Sequence, residues 1–169
     1  MNISFDGLIS NDNTNHTKDI LKEKELLTFY IDNNYGFELI DVFNSSNTNK
    51  ALFQISIFNS GHSQSKQDFI RNTFSKLDDI IDLDFIEMSH NNGSNLDIYH
   101  VSYSSFFGEN VIGQALSQNA NGGKWWDIFW KDSKLNSLAD NNTIIHEIGH
   151  SLGLKHPFDQ PENILFNTN

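Results

Sequence analysis

Three histidines, a glutamate and a glycine lie close together near the end of the chain, in the string HEIGHSLGLKH. They are His146, Glu147, His150, Gly153 and His156. Two histidines four positions apart share one face of a helix, with Cβ atoms about 5 to 6 Å apart, which is close enough to bind one ion. His146 and His150 have this spacing, so the pattern predicts a metal site on a helix.

The remaining residues of the string predict what this site does. Glu147 follows the first ligand, so its carboxylate can reach a water in the fourth coordination position and act as a base. Gly153 can adopt a positive φ, end the helix and bring His156 back toward the ion. Three neutral nitrogen ligands leave zinc a fourth position for water, which is typical of a catalytic site. We therefore predict His146, His150 and His156 as metal ligands and Glu147 as the catalytic base.

A helix can also tolerate several histidines on a polar face without binding metal. Five specified positions make this alternative weak, because their chance occurrence in a chain of this composition is on the order of 10⁻⁵. The other histidines are scattered, and we expect structural roles for them: His16, His62, His90 and His100.

The string HEIGHSLGLKHP resembles the zinc-binding signature of the metzincin metallopeptidases, and it is most similar to the serralysin and matrixin branch. The resemblance implies that His146, His150 and His156 bind zinc and that Glu147 activates the hydrolytic water. It covers about residues 51–157 and implies a zinc-dependent endopeptidase that acts on polypeptides. It also implies a secreted, extracellular protein, although no signal peptide is visible at the N-terminus.

Composition restricts the class of protein further. The 169 residues, 37% of them hydrophobic, suit one globular domain with a core. A net charge of −11 argues against a nucleic-acid partner, and no apolar run approaches the roughly 18 residues that span a membrane. The absence of cysteine excludes disulfides and thiolate metal sites. We expect a monomer.

The order of predicted elements is that of an α+β fold, a zincin-like N-terminal subdomain. Its twisted mixed β-sheet would have a long backing helix, with apolar residues at Ile70, Phe74, Leu77 and Ile81, and an active-site helix. Strands are predicted at 53–57, 83–88, 96–101 and 124–130, and a long surface loop at 108–123. Asp140, Asn141 or Asn142 would cap the active-site helix.

We expect two regions along the chain. Residues 1–50 would form a partly disordered N-terminal extension, with a loose leader at 1–18, a short helix at 19–27 and strands at 27–31 and 37–43. Residues 51–169 would form a metzincin-like catalytic domain without the C-terminal subdomain. The methionine turn of that family is expected to be missing, because the chain has only Met1 and Met88.

Several interpretations stay open at this point. The chain could be a minimal or truncated peptidase, a non-catalytic zinc-containing module that binds peptides, or a fragment of a split or longer metallopeptidase. If 126–130 is the strand at the edge of the cleft, an extended substrate would pair with it by β-augmentation. Core packing is the expected role of Trp126 and Trp130. Calcium is a second candidate cofactor, with potential ligands at Asp84, Glu87 and Asp97, although turn and strand-end roles suit these residues better.

Overall fold

The computed structural model describes residues 8–44, 50–108 and 110–156. Within these residues the elements follow the order α1 (Asn11–Leu21), β1 (Leu26–Ile31), β2 (Gly36–Val42), β3 (Phe53–Asn59), α2 (Gln64–Asp78), β4 (Asp84–Met88), β5 (Leu96–Ser104), β6 (Gly113–Ala120), β7 (Gly123–Trp130) and α3 (Ser137–Ser151). The predicted α+β class is confirmed.

The strands form one mixed sheet. Strands β4, β1, β5 and β7 are neighbours in that order and run parallel, while β6 pairs antiparallel with β7. The β2–β3 hairpin pairs antiparallel with the second half of β5, on the same edge of β5 as β1. Strand β5 is therefore the centre of the sheet, and β6 lies at the side where α3 packs.

Helices α2 and α3 pack on one face of this sheet and share its main core. Ile70 and Phe74 of α2 and Ile144 and Ile148 of α3 are almost fully buried there. They meet apolar side chains from three strands, β1, β5 and β7: Leu27, Phe29, Ile31, Leu96, Ile98, Trp126, Ile128 and Trp130. The backing helix and the core roles of Trp126 and Trp130 are confirmed, and Ser63 caps α2 by accepting the Lys66 N–H.

The first part of the chain is more ordered than its polar sequence suggests. Residues 11–18, expected to be a loose leader, form most of α1, which Ser10 caps by accepting the Asn13 N–H at 3.2 Å. Residues 1–7 lie outside the described residues. Strand β1 pairs with both β4 and β5, so the segment before residue 51 supplies a central strand of the sheet. The domain boundary at 51 stays a prediction.

The expected surface loop at 108–123 was wrong over most of its length, because β6 occupies residues 113–120. This strand has mostly small and polar side chains, and it is held by backbone pairing with β7 along its whole length. An edge strand of this kind has no strong apolar alternation for a sequence pattern to detect. Among the described helices, none is long and apolar enough to span a membrane.

Candidate metal centre

Helix α3 places two of the three candidate ligands. It begins after Asn136, whose side chain accepts the Ala139 N–H at 3.0 Å. The predicted caps at 140–142 were wrong, because Asp140 lies inside the helix and accepts the Ser133 N–H at 2.8 Å. Ile144 and Ile148 are buried against the sheet, which leaves the histidine face of the helix turned toward a cleft.

The three predicted ligands converge. The Nε2 atoms of His146 and His156 are 2.8 Å apart, those of His146 and His150 are 3.0 Å apart, and those of His150 and His156 are 3.2 Å apart. Three nitrogens at these separations can all lie about 2.0 to 2.1 Å from a common point, which is the usual Zn–N distance. The donor set therefore fits zinc.

The turn after α3 brings the third imidazole to the cluster. Gly153 has a φ of +104°, a conformation that L side chains rarely adopt, and the Leu154 N–H donates to the Gly149 carbonyl at 2.9 Å. The predicted role of Gly153 is confirmed. The Nδ1 of His150 lies 2.9 Å from the Leu154 carbonyl, so that nitrogen holds the ring proton and donates it. The Nε2 lone pair of His150 is then directed at the cluster.

Electrostatics favour the neutral form of His146. Burial lowers the pKa of His146, and the charges of His150 and His156 lower it further. A metal ligand must be the neutral form of histidine, so the shift is in the direction that metal binding requires.

The predicted base, Glu147, lines the same cleft as the three histidines. It is only 6% exposed, and burial raises its pKa to about 7, against the opposing effect of a hydrogen bond from the Ala115 backbone. A carboxylate with a pKa near neutrality can both accept and return a proton. Four regions line the cleft around it: the start of α1, the residues that lead into and begin β6, the exposed face of α3, and the segment after α3 that bears His156.

Gly113, at the start of β6, is a site residue that the sequence analysis missed. A Cβ at this position would lie 2.6 Å from Glu147 Oε1 and 2.7 Å from the Cγ2 of Thr143. Only glycine therefore lets β6 approach α3 closely enough to contact the carboxylate. The sequence alone offers no signal that separates Gly113 from Gly108 or Gly122, because the requirement comes from packing between distant segments.

The edge of the sheet at the cleft is not the strand that the sequence suggested. Strand β7, expected to pair with an extended peptide, has β5 on one side and β6 on the other. Among the described strands β6 pairs with β7 alone, and its second edge is bridged to Asn44 at Asn119, near the end of the strand. The beginning of that edge is therefore the part that a peptide could join. The residues that begin β6, Gly113 to Ala115, line the cleft.

The other candidate ligands do not assemble into a second centre. Across residues 8–44, 50–108 and 110–156, His146, His150 and His156 are the one group of three potential ligands that converges. Glu87 instead binds Arg71, with Oε2 2.7 Å from Nε, and Asp97 accepts the Ser94 hydroxyl. His16 bonds the Trp125 carbonyl at 3.0 Å, and His62 and His100 pack around Trp130. A calcium site stays a prediction.

Two histidines one turn apart on a helix, a buried glutamate between them and a third histidine that converges on them after a glycine turn are typical of a metallopeptidase site. In agreement, the family model for metallo-peptidase family M12B, reprolysin-like, matches residues 47–157. The chain belongs to this family of metallopeptidases. A search of curated proteins finds no match to it.

Proposed function

We propose that this protein is a zinc-dependent endopeptidase in which His146, His150 and His156 hold the metal and Glu147 is the catalytic base. The observation that supports this most strongly is the convergence of three Nε2 atoms within 2.8 to 3.2 Å of one another. They lie in a cleft that also contains a buried carboxylate. Family membership supports polypeptides as the substrate class.

In the proposed reaction, zinc and Glu147 have different roles. Zinc, when bound, acts as a Lewis acid toward the scissile carbonyl and lowers the pKa of water to about 7. Glu147 takes a proton from the attacking water and later delivers it to the nitrogen of the leaving amine. The burial of Glu147 suits both roles, because it holds the pKa of the carboxyl near 7, where a carboxyl group can accept a proton and return it.

Substrate binding is proposed at the second edge of β6. An extended peptide there would form backbone hydrogen bonds with the start of β6, apart from the Ala115 N–H that donates to Glu147, and its scissile bond would lie beside Glu147. Backbone pairing recognises any extended chain, so side-chain preference would come from the cleft walls. The close packing of Gly113 against Glu147 fixes the position of the carboxylate relative to the edge of β6.

We further propose a secreted monomer most similar to the serralysin and matrixin branch, with calcium as an additional cofactor. The HEIGHSLGLKHP signature supports the branch and, through that resemblance, secretion.

The test of the catalytic role is Glu147→Ala. We expect cleavage of a quenched peptide substrate to fall by roughly 10²- to 10⁴-fold, because general base catalysis is removed, while zinc content remains one ion per chain. Glu25→Ala, at an exposed glutamate before β1, is the matched control and should leave both unchanged. Full cleavage by Glu147→Ala would remove Glu147 from the mechanism. Zinc binding by the wild-type protein without any cleavage would favour a non-catalytic peptide-binding module.

A further inference from the structure

The beginning of the described chain lies against the turn that bears the third histidine. We call residues 8–17 the N-terminal segment. The Ser10 N–H donates to the Gly153 carbonyl at 2.8 Å, and the Lys155 N–H donates to the Leu8 carbonyl at 2.9 Å. Ile9 and Leu154 form an antiparallel bridge between these two bonds. The residue directly before His156 is therefore tied to the N-terminal segment.

Two side chains of α1 extend this contact to the end of α3. The amide of Asn13 donates to the His150 carbonyl at 3.1 Å, and the hydroxyl of Thr17 donates to the Ser151 carbonyl at 2.5 Å. The last carbonyls of a helix lack N–H partners within it. The His150 carbonyl accepts the Gly153 N–H at 3.1 Å, and the N-terminal segment provides a second donor to it and a donor to the Ser151 carbonyl.

Packing confines the turn as well. A Cβ at Gly153 would lie 2.6 Å from the Oγ1 of Thr14, so the backbone of the turn is in direct contact with α1. The turn is held on one side by His150, through its bond to Leu154, and on the other side by α1. Little room is left for it to move.

We infer that the N-terminal segment is a positioning element for the zinc site, which holds the 153–155 turn so that His156 reaches the metal. This inference rests on the proposed function. Helix α3 alone fixes the relative placement of His146 and His150 through their helical spacing. The third ligand depends on residues more than a hundred positions earlier in the sequence, and zinc affinity should respond to changes there.

The first test is Asn13→Leu, which removes the donor to the His150 carbonyl without adding charge and introduces a better helix former. We expect the zinc Kd, measured by competition with a chelator, to rise about 10- to 100-fold, the range for loss of a group that supports metal ligands. X-ray absorption of the zinc-loaded variant should show fewer imidazole ligands than the wild type. The matched control is Asn15→Leu, at an exposed position on the same helix, and it should match the wild type in both measurements.

The second test compares Ser10→Pro with Ser10→Ala. Both variants lose the hydroxyl that caps α1, but only proline also removes the N–H that donates to Gly153. A φ of −86° at this position is close to the range that proline adopts. We expect weaker zinc binding with proline than with alanine, and similar helix content by circular dichroism in both.

The outcomes separate this inference from the proposed function. A wild-type protein that binds no zinc contradicts both. A wild-type protein with three imidazole ligands, together with an unchanged Kd in Asn13→Leu and equal Kd values for the two Ser10 variants, overturns the positioning role and leaves the peptidase proposal intact. If Ser10→Pro fails to fold, the Asn13 and Asn15 pair decides the question.

Discussion

Two groups of histidines in this protein show opposite uses of the same ring. In the cleft, the Nε2 atoms of His146, His150 and His156 point at one another. Outside the residues that line the cleft, the rings of His62 and His100 are 5.8 Å apart and their nitrogens point to other partners. His62 bonds the Asp32 carbonyl and the Trp130 indole, and the Nδ1 of His100 lies 2.6 Å from the Gly61 carbonyl. Convergence of ring nitrogens, more than proximity of rings, distinguishes a ligand cluster from structural histidines.

The strongest way to break this comparison is to remove one histidine from the cleft. For His150→Ala we expect the zinc Kd to rise by at least about a hundredfold, since total zinc binding energies imply roughly 3 kcal/mol for each ligand. Equilibrium dialysis with zinc measures this. His62→Phe should bind zinc with the wild-type Kd. Loss of zinc binding in His62→Phe would contradict the assignment of His62 to a structural role.

The second prediction concerns stability rather than metal. His62→Phe leaves the Trp130 indole N–H and the Asp32 carbonyl without their buried partner, and each such group costs about 1 to 3 kcal/mol. We expect the free energy of unfolding of the metal-free protein in urea to fall by about 2 to 4 kcal/mol. His90→Phe, at an exposed position in the turn after β4, is the control and should change it little. Equal stability of the two variants would contradict the structural role of His62.

The third prediction tests the lowered pKa of folded His62 through the pH dependence of stability. Burial lowers the pKa of this ring to about 4, although the Asp32 carbonyl opposes the shift. In the unfolded chain a histidine binds a proton below about pH 6.5, whereas folded His62 stays neutral until about pH 4. The contribution of His62 to stability is therefore fully present above pH 6.5 and is lost as the pH falls from about 6.5 to about 4.

The stability difference between wild type and His62→Phe should therefore shrink by about 1.4 kcal/mol for each pH unit within this window. Urea unfolding of both proteins at pH 7.0, 6.0 and 5.0 measures it. A constant difference over this range would show that folded His62 titrates as it does in the unfolded chain.

The smallest effect on the free energy of unfolding is expected for the ion pair between His100 and Asp132. The Nε2 of His100 lies 3.4 Å from a carboxylate oxygen of Asp132, whose side chain is 64% exposed. Solvent-exposed pairs of this kind contribute about 0 to 1 kcal/mol, so Asp132→Asn should change the free energy of unfolding by less than about 0.5 kcal/mol. A larger loss would mean that the stacking of His100 on Trp130, at a ring distance of 4.0 Å, depends on this carboxylate.

The sequence predicted those parts of the molecule that depend on local periodicity. The spacing of His146 and His150, the turn at Gly153 and the apolar stripe of α2 are all properties of neighbouring residues. They were found correctly, except that Ile81, expected in the stripe, lies beyond the end of α2. The grouping of three ligands followed from the same local pattern.

What the sequence did not predict depends on distant contacts. Residues 11–15 of α1 are mostly asparagine, aspartate and threonine, which are poor helix formers, and their helix is stabilised by contacts with the end of α3. Strand β6 forms because β7 offers it a backbone partner. Gly113 matters only because Glu147 lies against it. None of these contacts leaves a repeating signal in the sequence.

The contact between α1 and α3 also has a consequence for the order of folding. Asn13 and the His150 carbonyl that it bonds are 137 residues apart, whereas His146 and His150 are separated by a single helical turn. Closing a loop of that length costs entropy before any contact offsets it, so such contacts form late. We expect the helical pair of imidazoles to be in place early and the third to arrive only when both ends of the described chain have met, so that tight zinc capture marks the last stage of folding.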